Sequence, residues 1–338
     1  MVRPVDEQVV VLTGASSGIG RETALEFGRR GARLVLAARG EGALEEVAAE
    51  VVRLGGEAVA VPTDISDFDE MIRLSERAVE RFGRIDTWIN NAALSTYGTV
   101  EEMDLAEMRR VIEVNLLGTI HGMKAALPHL RRAGGGVIVN VSSTLGKRAV
   151  PLQAAYCAAK HGVVAFGEAL RLELRLAKVP VHVVDVLPSS INTPLFEHAR
   201  SKMGVLPRPI PPVYEPRVVA ETIVAAAQHP VRQVFAGGAG RLLEAAQRLS
   251  PALVDVYLLG PGRIVEGQRA DRPDDGQDNL ETSTTDEPPR STGLFGGESK
   301  STSLYTTVFG LHPARARIAA ALALASIVVA ASRVGRRR

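Results

Sequence analysis

The stretch Thr13-Gly14-Ala15-Ser16-Ser17-Gly18-Ile19-Gly20 constrains this chain more than any other, because of what flanks it. Gln8 to Thr13 is a short, β-branched apolar run, and a helical pattern follows Gly20 as far as Arg30. A buried strand passing through a glycine-rich turn into a helix is a far stronger signal than the glycines alone. Gly14 lets the chain turn tightly, Gly18 lets backbone approach a pyrophosphate, and Gly20 lets helix and strand pack closely. Free amides at the helix start, in the stretch Ser16, Ser17, Gly18 and Ile19, attract phosphate.

Arg33 to Ala38 reads as the second strand, and Arg39 follows it. An acidic residue at that strand end would accept the ribose 2′-hydroxyls of NAD. Ala38 and Arg39 stand there instead, and a guanidinium suits a 2′-phosphate, so NADP is expected before NAD. Ser16 is placed to add a hydroxyl to that phosphate; the alternative is that Arg39 is a solvated loop charge.

The alternation of strand and helix then continues. Helices are expected over Glu41–Leu54, Asp67–Phe82, Asp104–Leu130, Gln153–Ala177 and Glu215–Gln228. Strands are expected over Ala58–Val61, Asp86–Asn90, Val137–Val141, Val181–Leu187 and Gln233–Ala236. Such a pattern predicts an α/β fold, a doubly wound parallel sheet of Rossmann-like type, as one catalytic domain over residues 1–250. Ligands in these folds bind beyond the carboxyl ends of the strands. The Gly-rich turn, Arg39, Asp64, Asn91, Ser143 and Pro188 all fall there. Asp64 and its neighbour Ile65 lie where a nucleotide base would sit. Asn91 and Ala92, small or amide side chains at a strand end, leave room for a flat ring.

Tyr156 and Lys160 are four residues apart, so on a helix both project from one face. A nearby cation favours the phenolate and lowers a tyrosine pKa that starts near ~10. A tyrosine tuned in this way can give a proton to a carbonyl oxygen or take one from an alcohol. Ser143, at the end of the strand Val137–Val141, is placed to hold the same oxygen. Asn115 lies on an apolar stretch of helix, where an amide is costly without partners. It is either a satisfied polar core residue or the site of a backbone kink that holds water beside Lys160.

Together these elements resemble the short-chain dehydrogenase/reductase family, over roughly Gln8 to Ala239. The family's Gly-rich element matches Thr13 to Gly20, and its Asn-Asn-Ala-Gly element matches Asn90 to Ala93, with Ala93 in place of the glycine. Its catalytic Asn, Ser, Tyr and Lys fall on Asn115, Ser143, Tyr156 and Lys160. The resemblance implies an NAD(P)-dependent oxidoreductase that interconverts a carbonyl and a secondary alcohol. Tyr156 would be the general acid/base, and Ser143 would orient the substrate oxygen. Lys160 would lower the tyrosine pKa and hold the nicotinamide ribose, and Asn115 would support a proton-relay water. Pro188, Ile191 and Thr193 would lie by the nicotinamide, the latter two meeting its carboxamide. One departure is Pro188-Ser189, where the family has Pro-Gly. The resemblance also implies a homodimer or homotetramer, paired through the helices that carry Asn115 and Tyr156. Two alternatives stay open: a nucleotide-binding scaffold or redox-sensing regulator on the same fold, and the same enzyme using NAD.

Leu195 to Tyr214 is expected to form the substrate lid, with Pro207, Pro209, Pro211 and Pro212 suppressing helix. Leu94, Tyr97, Leu145, Phe196 and Met203 are candidate pocket walls, and their apolar character favours a hydrophobic small-molecule substrate. A net charge of +2 gives no reason to expect a nucleic-acid partner. The single cysteine, Cys157, excludes an internal disulfide and reads as buried filler rather than a reactive thiol. No metal site is expected.

Beyond residue 250 the expectations change. A short apolar stretch covers 251–265. Residues 266–303, rich in Asp, Pro, Gly, Ser and Thr, read as a disordered linker. The tail over 304–338 holds an apolar run, Ile318 to Ala331, with arginines on both flanks. It is shorter than the ~20 residues a spanning helix needs. A carboxyl-terminal membrane anchor, an interfacial helix and a soluble docking helix are the three readings. Because NADP is cytosolic, the catalytic domain is expected on the cytoplasmic side.

Overall fold

A computed structural model describes residues 2–261, 264–283 and 288–311. At its centre is β1 (Val9–Thr13), which is buried along its whole length. Its side chains alternate between two apolar clusters: Val10 and Leu12 enter one, and Val11 enters the other. β2 (Arg33–Ala38) does the same with Leu34 and Leu36 against Val35 and Ala37. Burial on both faces is why these strands read as unbroken apolar runs in the sequence.

The other principal strands are β3 (Glu57–Pro62), β4 (Thr87–Asn90), β5 (Gly136–Val141), β6 (Val181–Pro188) and β7 (Gln233–Ala236). They form one seven-stranded sheet in the order β7-β6-β5-β4-β1-β2-β3. Every neighbouring pair runs parallel. The winding direction reverses between β1 and β4, so the ligand-binding crevice of a doubly wound sheet opens at the carboxyl ends of those two strands. The doubly wound parallel sheet expected from the sequence is the fold that forms.

One face of the sheet is covered by α1 (Gly18–Gly28), α2 (Glu41–Arg53) and α7 (Pro216–Gln228), through Phe27, Leu44, Val51, Val219 and Ile223. The other is covered by α3 (Phe68–Phe82), α5 (Gly118–Arg132) and α6 (Ala154–Leu176), through Leu74, Met123, Leu130 and Leu170. Asp67 caps α3, accepting from the Glu70 amide at 3.0 Å. The long helix expected over Asp104–Leu130 is divided. α4 (Leu105–Ile112), which follows Asp104, leads into a π turn over Glu113–Leu117, and α5 continues from there.

A buried ion pair ties α6 to β6. Asp185 is fully buried, and both terminal nitrogens of Arg171 donate to its Oδ2 at 3.1 Å, while Asn140 donates to Oδ1 at 3.2 Å. Burial pushes the Asp185 carboxyl up, and Arg171 and Asn140 pull against that. Arg171→Met leaves the carboxylate uncompensated and is expected to cost about 3–5 kcal/mol at neutral pH. With the folded-state pKa raised, that cost is present above it and vanishes as pH falls below the ordinary Asp range. Denaturant unfolding of both forms at several pH values checks this: the gap closes toward low pH.

α8 (Gly238–Leu249) and α9 (Pro251–Leu258) follow the sheet. The next segment corrects the sequence expectation. Residues 266–303 were expected to be a disordered linker, yet the described parts of this segment lie along the catalytic domain. Arg269–Pro273 pairs antiparallel with Val205–Pro207 of the proline-rich segment, Arg200 binds Asp278 at 2.7 Å, and Leu280 is buried in the core. Composition measures the apolar surface a segment can bury within itself. Here the partners come from the domain, through backbone bonds and ion pairs. Ile318 to Ala331 lies outside the described residues. Among the described residues no helix is long and apolar enough to cross a membrane.

Candidate active site

The turn after β1 is built by steric exclusion. Gly14 has φ +66°, and a Cβ there would stand 2.6 Å from the Ala92 Cα. A Cβ on Gly20 would stand 1.9 Å from the Gly14 carbonyl oxygen. Asn91 braces the turn: its Nδ2 donates to the Thr13 carbonyl at 3.0 Å and the Gly14 carbonyl at 3.1 Å. Thr13 Oγ1 in turn accepts from the Asn91 amide at 3.0 Å. The end of β4 therefore holds the end of β1 in its tight conformation.

Ser143 follows β5 in extended conformation, and its Oγ accepts from the Leu145 amide at 3.0 Å. The Tyr156 phenol is buried in the first turn of α6, close enough to the Ser143 hydroxyl to feel it. Lys160, one turn later, donates from Nζ to the Val141 carbonyl at 2.9 Å and lies 5.5 Å from the centre of the Tyr156 ring. Ser142 ties the same turn of α6 to the end of β5, its Oγ donating to the Lys160 carbonyl at 3.0 Å.

The electrostatics differ from the simple pairing expected from the sequence. Burial raises the Tyr156 phenol above its ordinary range, and the Ser143 hydroxyl works against that rise. Burial also brings Lys160 down to about 8. Lys160 faces the ring and a backbone carbonyl, so desolvation outweighs its charge at the phenol. The result is a neutral hydroxyl held against a serine, with a titratable ammonium behind it.

Asn115 is the satisfied polar core residue that one reading expected, and it sits at a helix irregularity. Its side chain is fully satisfied: Oδ1 accepts from the Leu94 amide and Nδ2 donates to the Leu94 carbonyl, each at 2.8 Å. Its backbone lies in the π turn, a helical irregularity frequent at functional sites. Asn115 thereby fixes Leu94, which faces the cavity.

One cavity of about 780 Å³ runs across the carboxyl ends of the strands. Ser16, Ser17, Gly18 and Ile19 line it together with Arg39, Asp64, Ile65, Asn91 and Ala92. Ser143, Tyr156 and Lys160 line it further along, with Pro188, Ile191 and Thr193. Gly14 also lines it, whereas Gly20 and Asn115 stand behind the wall. Leu94, Tyr97, Leu145 and Phe196 line its apolar end, and Met203 does not reach it. Asp64 is bonded to Ser66 at 2.6 Å and Arg110 at 3.0 Å; burial raises its carboxyl, but these partners bring it below the usual range. Ser189, the departure from Pro-Gly, donates to the Gly237 carbonyl and accepts from the Gly240 amide, both at 2.9 Å. Its hydroxyl is absorbed by the β7–α8 turn rather than pointed at the ligand.

Sequence reasoning missed the far wall, formed by Val150, Ile210, Leu258 and Ile264, and it missed Asn279 and Arg290 at the other end. The apolar character of Pro251–Leu258 was visible, but nothing local shows a helix folding back over a site a hundred residues upstream in sequence. The glycine cradle, the amides at the start of α1, the Arg39 cation and the long shape of the cleft fit a dinucleotide.

The comparisons with known proteins agree with this geometry. Residues 8–204 match the model of the short chain dehydrogenase family. The chain is similar to the uncharacterized oxidoreductase YxnA of Bacillus subtilis (strain 168), 36% identical over 274 residues, covering 80% of this chain and 76% of that protein. It is also similar to a 3-oxoacyl-[acyl-carrier-protein] reductase of Synechocystis, 33% identical over 231 residues, covering 68% of this chain and 93% of the other. Among solved structures, an alcohol dehydrogenase from the archaeon Thermococcus sibiricus, complexed with 5-hydroxy-NADP, superposes with a TM-score of 0.60 at 28% identity, over 68% of this chain and 95% of that one. With that fold, that cavity and these matches, the chain belongs to the short-chain dehydrogenase/reductase family of oxidoreductases.

Proposed function

We propose that this enzyme uses NADP to interconvert a carbonyl and a secondary alcohol on a hydrophobic small molecule, with Tyr156 as general acid/base. The observation that carries the reading is the placement of Ser143 and Tyr156 in the same cavity as the Gly-rich turn, with Lys160 one helical turn from Tyr156. The nicotinamide, when bound, supplies or accepts the hydride. Ser143 orients the substrate oxygen toward the phenol. In reduction Tyr156 gives its proton to that oxygen, and in oxidation it takes the proton back. Lys160, still charged at neutral pH, offsets the phenolate that forms in the buried cavity. Leu94, Asn115 and the apolar far wall exclude water and favour an apolar substrate body.

The cofactor choice rests on Arg39, whose guanidinium faces the cleft beyond β2, and the complex of the archaeal relative with 5-hydroxy-NADP supports it. Arg39→Ala is expected to lower discrimination between NADPH and NADH about 10- to 150-fold, from the ~1.5–3 kcal/mol of a hydrogen bond to a charged group. Titration of both nucleotides into both forms reads this directly. Equal affinities in the unaltered chain, untouched by the substitution, would remove NADP from the proposal.

Exposed apolar side chains on the helices that carry Asn115 and Tyr156 support pairing of copies through that surface: Leu105 and Leu117 on one, Phe166, Leu172 and Leu176 on the other.

A further inference from the structure

Residues 279–283 and 288–293 lie against the mouth of the cavity. There they take up the two groups of donors that the cofactor reading assigns to phosphate. The Gly18 amide, at the start of α1, donates to the Arg290 carbonyl at 2.9 Å. The Arg39 guanidinium donates to the carbonyls of Asn279 at 2.6 Å, Glu281 at 2.9 Å and Thr282 at 3.4 Å. Four backbone oxygens of one segment thus stand where pyrophosphate and 2′-phosphate oxygens would be held.

We propose that this segment is an internal competitor for the cofactor, an autoinhibitory strap that must leave Arg39 and Gly18 before a dinucleotide can seat. The inference rests on the cofactor reading above and adds a control to the same site. The contact at Gly18 opposes the pyrophosphate of either nucleotide. The contact at Arg39 opposes only a 2′-phosphate, so the strap acts most strongly on NADP.

The strap is held by further anchors besides these donors. Asp278 pairs with Arg200, Leu280 is buried in the core with its carbonyl accepting from Arg110 Nε at 3.2 Å, and the Arg290 guanidinium pairs with Glu197 at 2.7 Å. Arg21 adds a hydrogen bond to Ser291 at 2.8 Å. The contacts to Arg39 and Gly18 end on neutral carbonyls. A phosphate accepts from the Gly18 amide with charge assistance, about twice as strongly as a neutral carbonyl, and forms an ion pair with Arg39, so NADP is able to displace the strap at the cost of part of its own affinity. If the competent form is only a fraction of the population, the apparent dissociation constant rises by the inverse of that fraction.

The test uses the full chain and two anchor variants. Asp278→Ala removes a partly buried ion pair with Arg200. Leu280→Ser loosens the buried anchor. NADPH dissociation constants are measured by fluorescence titration, and amide hydrogen exchange of 279–283 and 288–293 is followed with and without NADPH. The expected result is tighter NADPH binding in both variants, about tenfold for Leu280→Ser if the strap is closed nine-tenths of the time, and faster exchange of the segment when NADPH is added to the unaltered chain. Weaker binding in the variants together with slower exchange on adding NADPH would overturn the inference and make the segment a lid that closes over bound cofactor. Unchanged affinity and exchange would also overturn it, while leaving the cofactor reading intact. Failure of every form to bind either nucleotide would remove the cofactor reading, and the strap with it.

Discussion

Tyr156→Phe is expected to lower turnover about 100- to 10,000-fold, the range a positioned general acid/base supplies, while NADPH affinity stays unchanged. Phenylalanine keeps the ring that packs in the buried wall beside Lys160. It loses only the hydroxyl that stands beside Ser143. The effect should therefore appear in kcat rather than in the dissociation constant of the nucleotide, since only an interaction made at the reacting oxygen is removed. The pH profile offers a second measure. Lys160 is brought down to about 8 by burial, so its charge is present below that pH and is lost above it. Turnover should fall as pH rises through that value, because the phenolate then forms without a compensating cation. Folding responds in the opposite sense: the unfolded chain binds the extra proton between about 8 and the ordinary lysine range, so this group's contribution to stability improves across that window. Turnover that survives Tyr156→Phe would end the proposed proton route.

Gly20→Ala is expected to abolish nucleotide binding at concentrations that saturate the unaltered chain, and to cost about 1–3 kcal/mol of stability through overpacking. The added methyl would stand 1.9 Å from the Gly14 carbonyl oxygen and 2.6 Å from Asn91 Nδ2. Neither can retreat cheaply: the first is backbone, and the second holds the turn through two hydrogen bonds. Relief requires α1 to move away from the turn, which misplaces the amides that face the phosphates. Gly42, in α2, provides the control, because a Cβ there meets nothing within 4 Å. Gly42→Ala should stabilise the chain by about 0.4–1 kcal/mol and leave binding alone. Unchanged nucleotide affinity in Gly20→Ala would show that helix and turn are not packed as described.

Much of this was legible in the chain itself. The strand–turn–helix at Thr13 to Gly20 was readable because close backbone approach admits only glycine at defined spacings. The strands themselves needed no long-range information, since strands buried on both faces announce themselves as apolar runs. The residues at the strand ends, from Arg39 through Ser143 to Thr193, could be placed on one edge of the sheet for the same reason. The role of Asn115 was half legible: a costly amide on an apolar stretch implied partners, but not that the partner would be the Leu94 backbone.

Sequence by itself thus determined the sheet, its ligand-bearing edge and the chemical identity of the groups along it, because local periodicity and glycine sterics act over a few residues. Only tertiary structure decided how those groups are electrically tuned and what lies over them. The Tyr156 and Lys160 shifts follow from burial in a cavity whose far wall comes from α9 and the residues after it. The described parts of the polar segment 266–303, by composition unable to fold alone, are held because the domain supplies ion pairs and because their carbonyls find donors at Arg39 and Gly18. Desolvation and the pairing of distant segments depend on the whole packed chain, and no window of sequence contains them.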